Sequence, residues 1–258
     1  MAAALTLRTS DSTALEFREA PWDQRTLGFP CLEITALRGE DPAELAALLA
    51  AFDAEAARRD AGFAYTRVAA DARALRRALT EAGFYHAECS FRVAHTQVQK
   101  SGEMDRWIRR GAVLRPAGPE DHEAMESILE SAFEHGRFHE DLYISRELAG
   151  LRYRRWLADL VAQGSEVYAY CAGDDVIGLH VQQRHGDVAD LILTGVKTSH
   201  ALMGVPLWAE VMRLVRTQEV REARTLISAA NVPIVNLYSR FNFTFQALLS
   251  GYHKRYSR

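Results

Sequence analysis

A chain of 258 residues, 48% hydrophobic and 25% charged, has an ordinary globular composition and enough length for one large domain or two small ones. Its net charge of −3 argues against a surface built for nucleic acid or an anionic membrane, and no stretch reaches the roughly 20 apolar residues of a membrane span. Cys31, Cys89 and Cys171 stand far apart and odd in number, which argues against disulfides and zinc, and the Met1–Arg8 segment lacks a basic signal-like start, so a cytoplasmic protein without bound metal is expected.

Two halves are expected, residues 1–98 and 112–258. In the first, Leu15–Glu19 alternates as a strand, and Pro42–Arg59 is alanine- and leucine-rich with Asp41 placed as N-cap. A strand over Ala64–Val68, a helix over Ala72–Ala82 stopped at Gly83, and a strand over Tyr85–Val98 follow. The proline- and aromatic-rich Pro21–Cys31 reads as a turn. The polar, glycine-punctuated Val98–Ala112 reads as a linker anchored by Trp107 and Ile108.

In the second half, Ala112–Pro116 is a short strand, Glu120–Phe133 and Arg146–Ala162 are helices, and strands are expected over Val167–Ala172, Val176–Gln183 and Val188–Val196. Pro206–Val220 is an amphipathic helix, with Leu207, Val211, Leu214 and Val215 on one face and Glu210, Arg213 and Arg216 opposite. Thr225–Ala229, a short helix carrying Tyr238, and Phe243–Tyr256 complete an α/β alternation. The turns Ala82-Gly-Phe84 and Phe241-Asn-Phe243 make the halves echo each other.

Three stretches carry chemistry. In Ile227–Phe243, Asn231 is a strong N-cap and Pro233 suits a first helical turn. Asn231 and Tyr238 then lie about two turns apart, roughly 10 Å along the axis, an amide and a phenol on one side of a groove. The stretch resembles the last motif of the GNAT acetyltransferase superfamily. That resemblance implies that Asn231 lies along the pantetheine arm of acetyl-CoA and that Tyr238 protonates the departing thiolate.

Ile192–Trp208 runs from a strand through a polar loop into a helix start, where free N–H groups and the helix dipole favour a pyrophosphate. It resembles the GNAT pyrophosphate loop, which implies cofactor contacts at Thr194, Val196, Ser199, Met203 and Gly204. Counted from Val196, Gly204 fits the pattern, but Ala201 stands in the usual cationic place and Pro206 in the last small one. The missing cation removes a charge-assisted contact worth about 1.5–3 kcal/mol. Lys197, Thr198, Ser199 and His200 are the available substitutes.

The third stretch, Phe133–Asp141 with Leu151–Trp156, gathers histidines and arginines that suit a ligand with phosphates or hydroxyls, although spacing alone favours an exposed interhelical loop with a solvated basic helix face. His135 and His139 have metal-ligand spacing only on a helix, which Gly136 opposes. With Pro21-Trp-Asp, Gly28-Phe-Pro and Tyr252-His-Lys, these pieces resemble the TDP-fucosamine (TDP-4-amino-4,6-dideoxygalactose) acetyltransferase branch of GNAT. The resemblance implies a mixed central sheet flanked by helices, with a truncated, non-catalytic GNAT-like N-terminal half. It also implies acetyl-CoA as co-substrate, direct transfer to a primary amine of a nucleotide amino sugar, and substrate contacts at Arg137, His139, Arg152 and His180. His180 and Asp190 are candidate bases beside a water chain. A non-catalytic GNAT-fold scaffold and an acetyltransferase for a peptide or other small amine stay open as alternatives, as does a homodimer.

Overall fold

The computed structural model describes residues 4–256, which pack into two compact units that are not the two halves in sequence. Of the described residues, one unit gathers 4–90, 136–144 and 247–256; the other is 91–135 with 145–246. The echo between the halves therefore coexists with exchanged pieces of chain.

The first unit holds β1 (Leu5–Arg8), β2 (Ala14–Glu19), α1 (Pro21–Leu27), β3 (Cys31–Arg38), α2 (Pro42–Arg58), β4 (Phe63–Ala69) and α3 (Arg73–Glu81). It also takes the start of β5 (Tyr85–His95) and most of β11 (Thr244–Arg255). Its strand order is β1-β2-β3-β4-β11-β5, with β3 and β4 parallel and β11 antiparallel to β4 from Leu249↔Ala69 to Arg255↔Phe63. Asp41 caps α2 by accepting from the Glu44 N–H at 2.9 Å, and Pro42 opens the first turn, as expected from local sequence. The stripe Leu45, Leu48, Leu49, Phe52 and Ala56 recurs at helical spacing and buries against Leu15, Phe17, Leu32, Ile34 and Val68. Pro21–Leu27 is a helix rather than the expected turn: Pro21 occupies the first position and Gly28, at φ 81°, ends it.

The second unit holds β6 (Ala112–Pro116), α4 (His122–Ala132), α5 (Arg146–Ala162), β7 (Glu166–Ala172), β8 (Asp175–His185), β9 (Val188–Val196), α6 (Gly204–Thr217), β10 (Glu222–Ser228) and α7 (Val232–Arg240). The order is β10-β9-β8-β7-β6, with the tail of β5 beside β10. Alternation along the strands, with β-bulges at Ile177 and Ile192 that switch the faces, feeds two cores. Tyr170, Ile177, Ala189 and Leu191 meet α6 and α7, while Ala169, Cys171, Leu179, Val181 and Leu193 meet α4 and α5. The expected linker is a packed 3₁₀ segment, Val98–Trp107, burying Val98, Ser101 and Met104. Their three-residue spacing matches the 3₁₀ repeat, and Trp107 stacks on Phe241 at 5.0 Å. No helix among the described residues is long and apolar enough to cross a membrane.

Candidate functional site

The second unit contains a fork between two parallel strands. β9 and β10 pair only at Val188↔Glu222, Ala189↔Ala223 and Asp190↔Arg224. Arg224 closes the paired end by donating to Asp190 at 2.5 Å, which occupies the carboxylate expected as a base. One residue further on, Thr225 Oγ1 donates to the Leu191 carbonyl at 2.6 Å. Beyond it β9 continues to Val196 with its ladder to β8 alone, so among the described residues its other edge, 192–196, has no strand partner. An unpaired strand edge offers backbone N–H and C=O groups to an extended ligand. Thr194 and Val196, both half-buried, lie on this edge.

Glycines shape the floor. A Cβ on Gly195 would stand 2.7 Å from the Phe133 ring, and one on Gly178 would stand 2.8 Å from the Gly195 carbonyl, so this close approach admits no side chain at either place. Phe133 in turn stacks on Tyr153 at 5.4 Å, whose hydroxyl donates to the His135 carbonyl at 3.0 Å.

After Val196 the chain makes a 3₁₀ turn, Thr198–Met203, and enters α6 at Gly204. Ser199 is exposed, and its hydroxyl lies 3.0 Å from His200 Nδ1; Met203 and Gly204 are half-buried. Lys197, a candidate replacement cation, is held at 2.6 Å by Asp175. The helix starts at Gly204, two residues before its expected start, and Pro206 still falls within the first turn, where its missing N–H costs no internal bond.

Asn231 caps α7, its Oδ1 accepting from the Ile234 N–H at 3.2 Å; the residue is half-buried and its amide nitrogen remains uncommitted among the described residues. Tyr238 is 2% exposed, its ring edge-on to Trp208 at 4.8 Å and to Phe243 at 4.7 Å. Burial holds its phenol far above the usual tyrosine range, and its hydroxyl is hydrogen-bonded to Thr225. Tyr238 is therefore a protonated hydroxyl linked through Thr225 to the carbonyl at the fork. Thr225 and Trp208 were not singled out in the sequence; the period-2 alternation of β10 was the available signal for Thr225.

His180 departs from its expected place with the substrate. It is 0% exposed, with Nδ1 2.8 Å from Thr194 Oγ1 and Nε2 2.9 Å from Gln182 Oε1. Gln182 continues to Glu166 at 2.9 Å and to Gln218 at 2.7 Å, and Glu166 also accepts from Tyr168. Burial pushes the imidazole down to about 4, so it is neutral and occupied on both nitrogens, with no surface to offer a ligand. The reason is its place in β8, an inner strand whose residues 176–182 are all buried.

The expected arginine and histidine contacts are divided between the units. Arg137 and His139 belong to the first and Arg152 to the second. The Arg137 guanidinium lies 3.7 Å over the Tyr65 ring and 3.2 Å from Asp23, so its charge is satisfied internally. His139 is half-buried in the same segment. Nearby, Asp141 accepts from the Tyr85 hydroxyl at 2.8 Å and meets His253 Nδ1 at 2.5 Å. Arg152 is 7% exposed, 5.2 Å over the Trp156 ring. Among the described residues no cluster of three or more His, Cys, Asp or Glu could hold a metal ion.

No family model matches the chain, and no curated protein matches it. Solved structures do. A GCN5-related N-acetyltransferase from Sphaerobacter thermophilus superposes with TM-score 0.67 at 15% identity, covering 96% of this chain and 82% of that one. A tandem GNAT protein of the clavulanic acid biosynthesis pathway gives 0.64 at 14% identity, covering 99% and 84%. A GCN5-related glucosamine N-acetyltransferase region of a fungal multi-domain β-N-acetylglucosaminidase gives 0.67 at 11% identity, covering 94% and 31%. With a mixed sheet flanked by helices and this likeness along nearly its whole length, the chain has the α/β fold of the GCN5-related N-acetyltransferases.

Proposed function

We propose that the protein is an acetyl-CoA-dependent N-acetyltransferase for a small primary amine, with residues 112–258 as its acetyltransferase half and 1–98 as a truncated GNAT-like half. The observation that carries this reading is the β9/β10 fork, which opens at Thr225 with the protonated Tyr238 hydroxyl behind it. The 192–196 edge of β9 pairs with the pantetheine amides and turns the thioester carbonyl toward its N–H groups. The start of α6 and Ser199 take the pyrophosphate, and Asn231 offers its free amide nitrogen to the pantetheine arm.

The amine lone pair attacks the thioester carbonyl carbon, and backbone N–H groups of β9 stabilise the tetrahedral oxyanion. Collapse breaks the C–S bond, and the Tyr238 hydroxyl supplies the proton taken up by the departing thiolate. The nitrogen releases its extra proton to solvent, since His180 and Asp190 are both engaged elsewhere, and solvent returns a proton to Tyr238, restoring the neutral phenol that burial requires. A nucleotide amino sugar is the favoured acceptor, on the resemblance of the sequence stretches to the sugar-amine branch and beside a likeness in fold to a glucosamine N-acetyltransferase region.

A second reading, a GNAT-fold module without catalysis, is favoured by the pyrophosphate loop, where Ala201 is uncharged and Lys197 is bound to Asp175. Isothermal titration with acetyl-CoA and with desulfo-CoA separates the two. Micromolar binding of both, followed by amine-dependent thiol release when amino sugars are screened, is the expected result. Absence of heat at millimolar ligand overturns the enzyme reading.

A further inference from the structure

The first unit carries a second polar groove, of about 400 Å³, lined by Arg73, Arg76, Arg77, Thr80, Glu81 and Tyr252. Its size is within the range of small-molecule sites. α3, which forms one wall, starts with no side-chain cap and no acidic residue in its first turn. Arg73 stands there instead, a cation where the helix dipole is already positive. Arg73 makes no ion pair among the described residues. Arg77 is held by Glu81 at 2.7 Å, so the groove's one carboxylate is engaged, and the Thr80 hydroxyl donates to the Arg76 carbonyl at 3.0 Å.

Arg76 is fixed in place by its bond to the Ala70 carbonyl at 2.7 Å, and its Nε donates to the Tyr252 hydroxyl at 3.3 Å. Tyr252 is 4% exposed, yet its oxygen reaches the groove. That oxygen accepts from Arg76, while its own proton finds no acceptor among the described residues. A phenol more than nine-tenths buried, with a donor left over and guanidinium groups around it, is half of a hydrogen-bonding arrangement whose other half is an acceptor. The arginines approach from one helix face and the phenol from the strand floor. Donors converging from different directions suit the tetrahedral oxygens of a phosphate better than a planar carboxylate.

We propose that this groove binds the phosphate group of a small phosphorylated molecule, independently of the fork in the second unit. The phosphate sits between Arg73, Arg76 and the Tyr252 hydroxyl, and the remaining volume takes the attached organic group. Free phosphate and a phosphate ester share this chemistry, and the test distinguishes them.

The full chain is titrated calorimetrically at low ionic strength with inorganic phosphate, AMP and adenosine. The expected result is one site per chain for AMP, no heat with adenosine, and an affinity that falls as salt is raised. Arg73→Gln weakens it at least tenfold, and Tyr252→Phe, which keeps the ring in the core, weakens it several-fold with an unchanged unfolding midpoint. Inorganic phosphate binding as tightly as AMP supports the site with the free anion as its ligand. Adenosine binding as well as AMP, affinity unchanged in Arg73→Gln and Tyr252→Phe, or no heat with either phosphate compound at millimolar concentration overturns the proposal.

Discussion

In the first unit Thr66 of β4 donates to the Ile34 carbonyl of β3 at 3.0 Å; in the second, Thr225 of β10 donates to the Leu191 carbonyl of β9 at 2.6 Å. In each unit the two strands run parallel, and the helix that follows ends on a left-handed residue, Gly83 at φ 84° or Asn242 at φ 56°. In each, the next residue turns back to the helix, Phe84 N–H to the Leu79 carbonyl at 2.9 Å and Phe243 N–H to the Tyr238 carbonyl at 3.0 Å. Within this common frame Ala72 starts α3 with no cap where Asn231 caps α7, and Leu79 fills the place that Tyr238 fills. The threonine clasp and the aromatic turn are thus requirements of the fold. The amide and the phenol are not, because alanine and leucine serve the same positions in the first unit. That difference argues for chemistry at Asn231 and Tyr238 and for a packing role at Ala72 and Leu79.

The sharpest test of the difference is Tyr238→Phe, which keeps the ring between Trp208 and Phe243 and removes the hydroxyl. It is expected to lower kcat for acetyl transfer by roughly 10²–10⁴-fold, the usual contribution of a positioned acid, with acetyl-CoA affinity unchanged by calorimetry. Unchanged kcat in steady-state thiol release would return Tyr238 to the role of Leu79.

The polar networks of the two units are separable by pH. His180 has a folded-state value of about 4 against an ordinary 6.5, because burial disfavours its charge. As pH falls through 6.5 the unfolded chain takes up a proton that the folded one refuses. Stability is therefore full above that pH and declines toward pH 4, by roughly 3 kcal/mol at about 1.4 kcal/mol per unit. His253 of the first unit is also lowered by burial, but the adjacent Asp141 carboxylate draws it back. In urea unfolding at pH 7 and pH 4.5, His180→Gln should lose more of the pH dependence than His253→Gln. The reverse order would place the dominant proton-linked group in the first unit.

Smaller effects compare matched groups. Asn231→Ala and Asp41→Ala each remove a helix cap and should each cost about 1 kcal/mol of stability in urea. Only Asn231→Ala should also raise KM for acetyl-CoA, by several-fold; equal KM in both variants would reduce Asn231 to a cap. Smallest of all, Thr66→Val and Thr225→Val each lose a hydrogen bond worth about 0.5–1.5 kcal/mol. Thr225→Val alone should further slow turnover, because Tyr238 then loses its partner at the fork, and a comparable slowing in Thr66→Val would break the distinction between the units.

Much of the fold was legible in the chain because its signals are local. Asp41-Pro42 and Asn231 open helices through bonds to N–H groups three residues on, and the alternation of 167–172, 176–183 and 188–196 is a backbone period. The 3₁₀ segment at 98–107 and the short α1 were missed, since a three-residue repeat and a seven-residue helix both resemble loop sequence. Of the site, the Asn231 cap and the strand-to-helix junction after Val196 were readable, whereas the fate of the charged groups was not.

Caps, turns and periodicity thus follow from neighbours within a turn of chain, and the order of strands and helices along the sequence follows with them. Residue roles that depend on distant partners do not. Arg137 is neutralised by Asp23, 114 residues away, and His253 meets Asp141 across 112. Whether β9 and β10 part after three pairs, whether His180 is enclosed in the sheet or lies beside a ligand, and which unit takes 136–144 and 247–256 depend on packing and electrostatics over such separations, which only the folded chain brings within contact range.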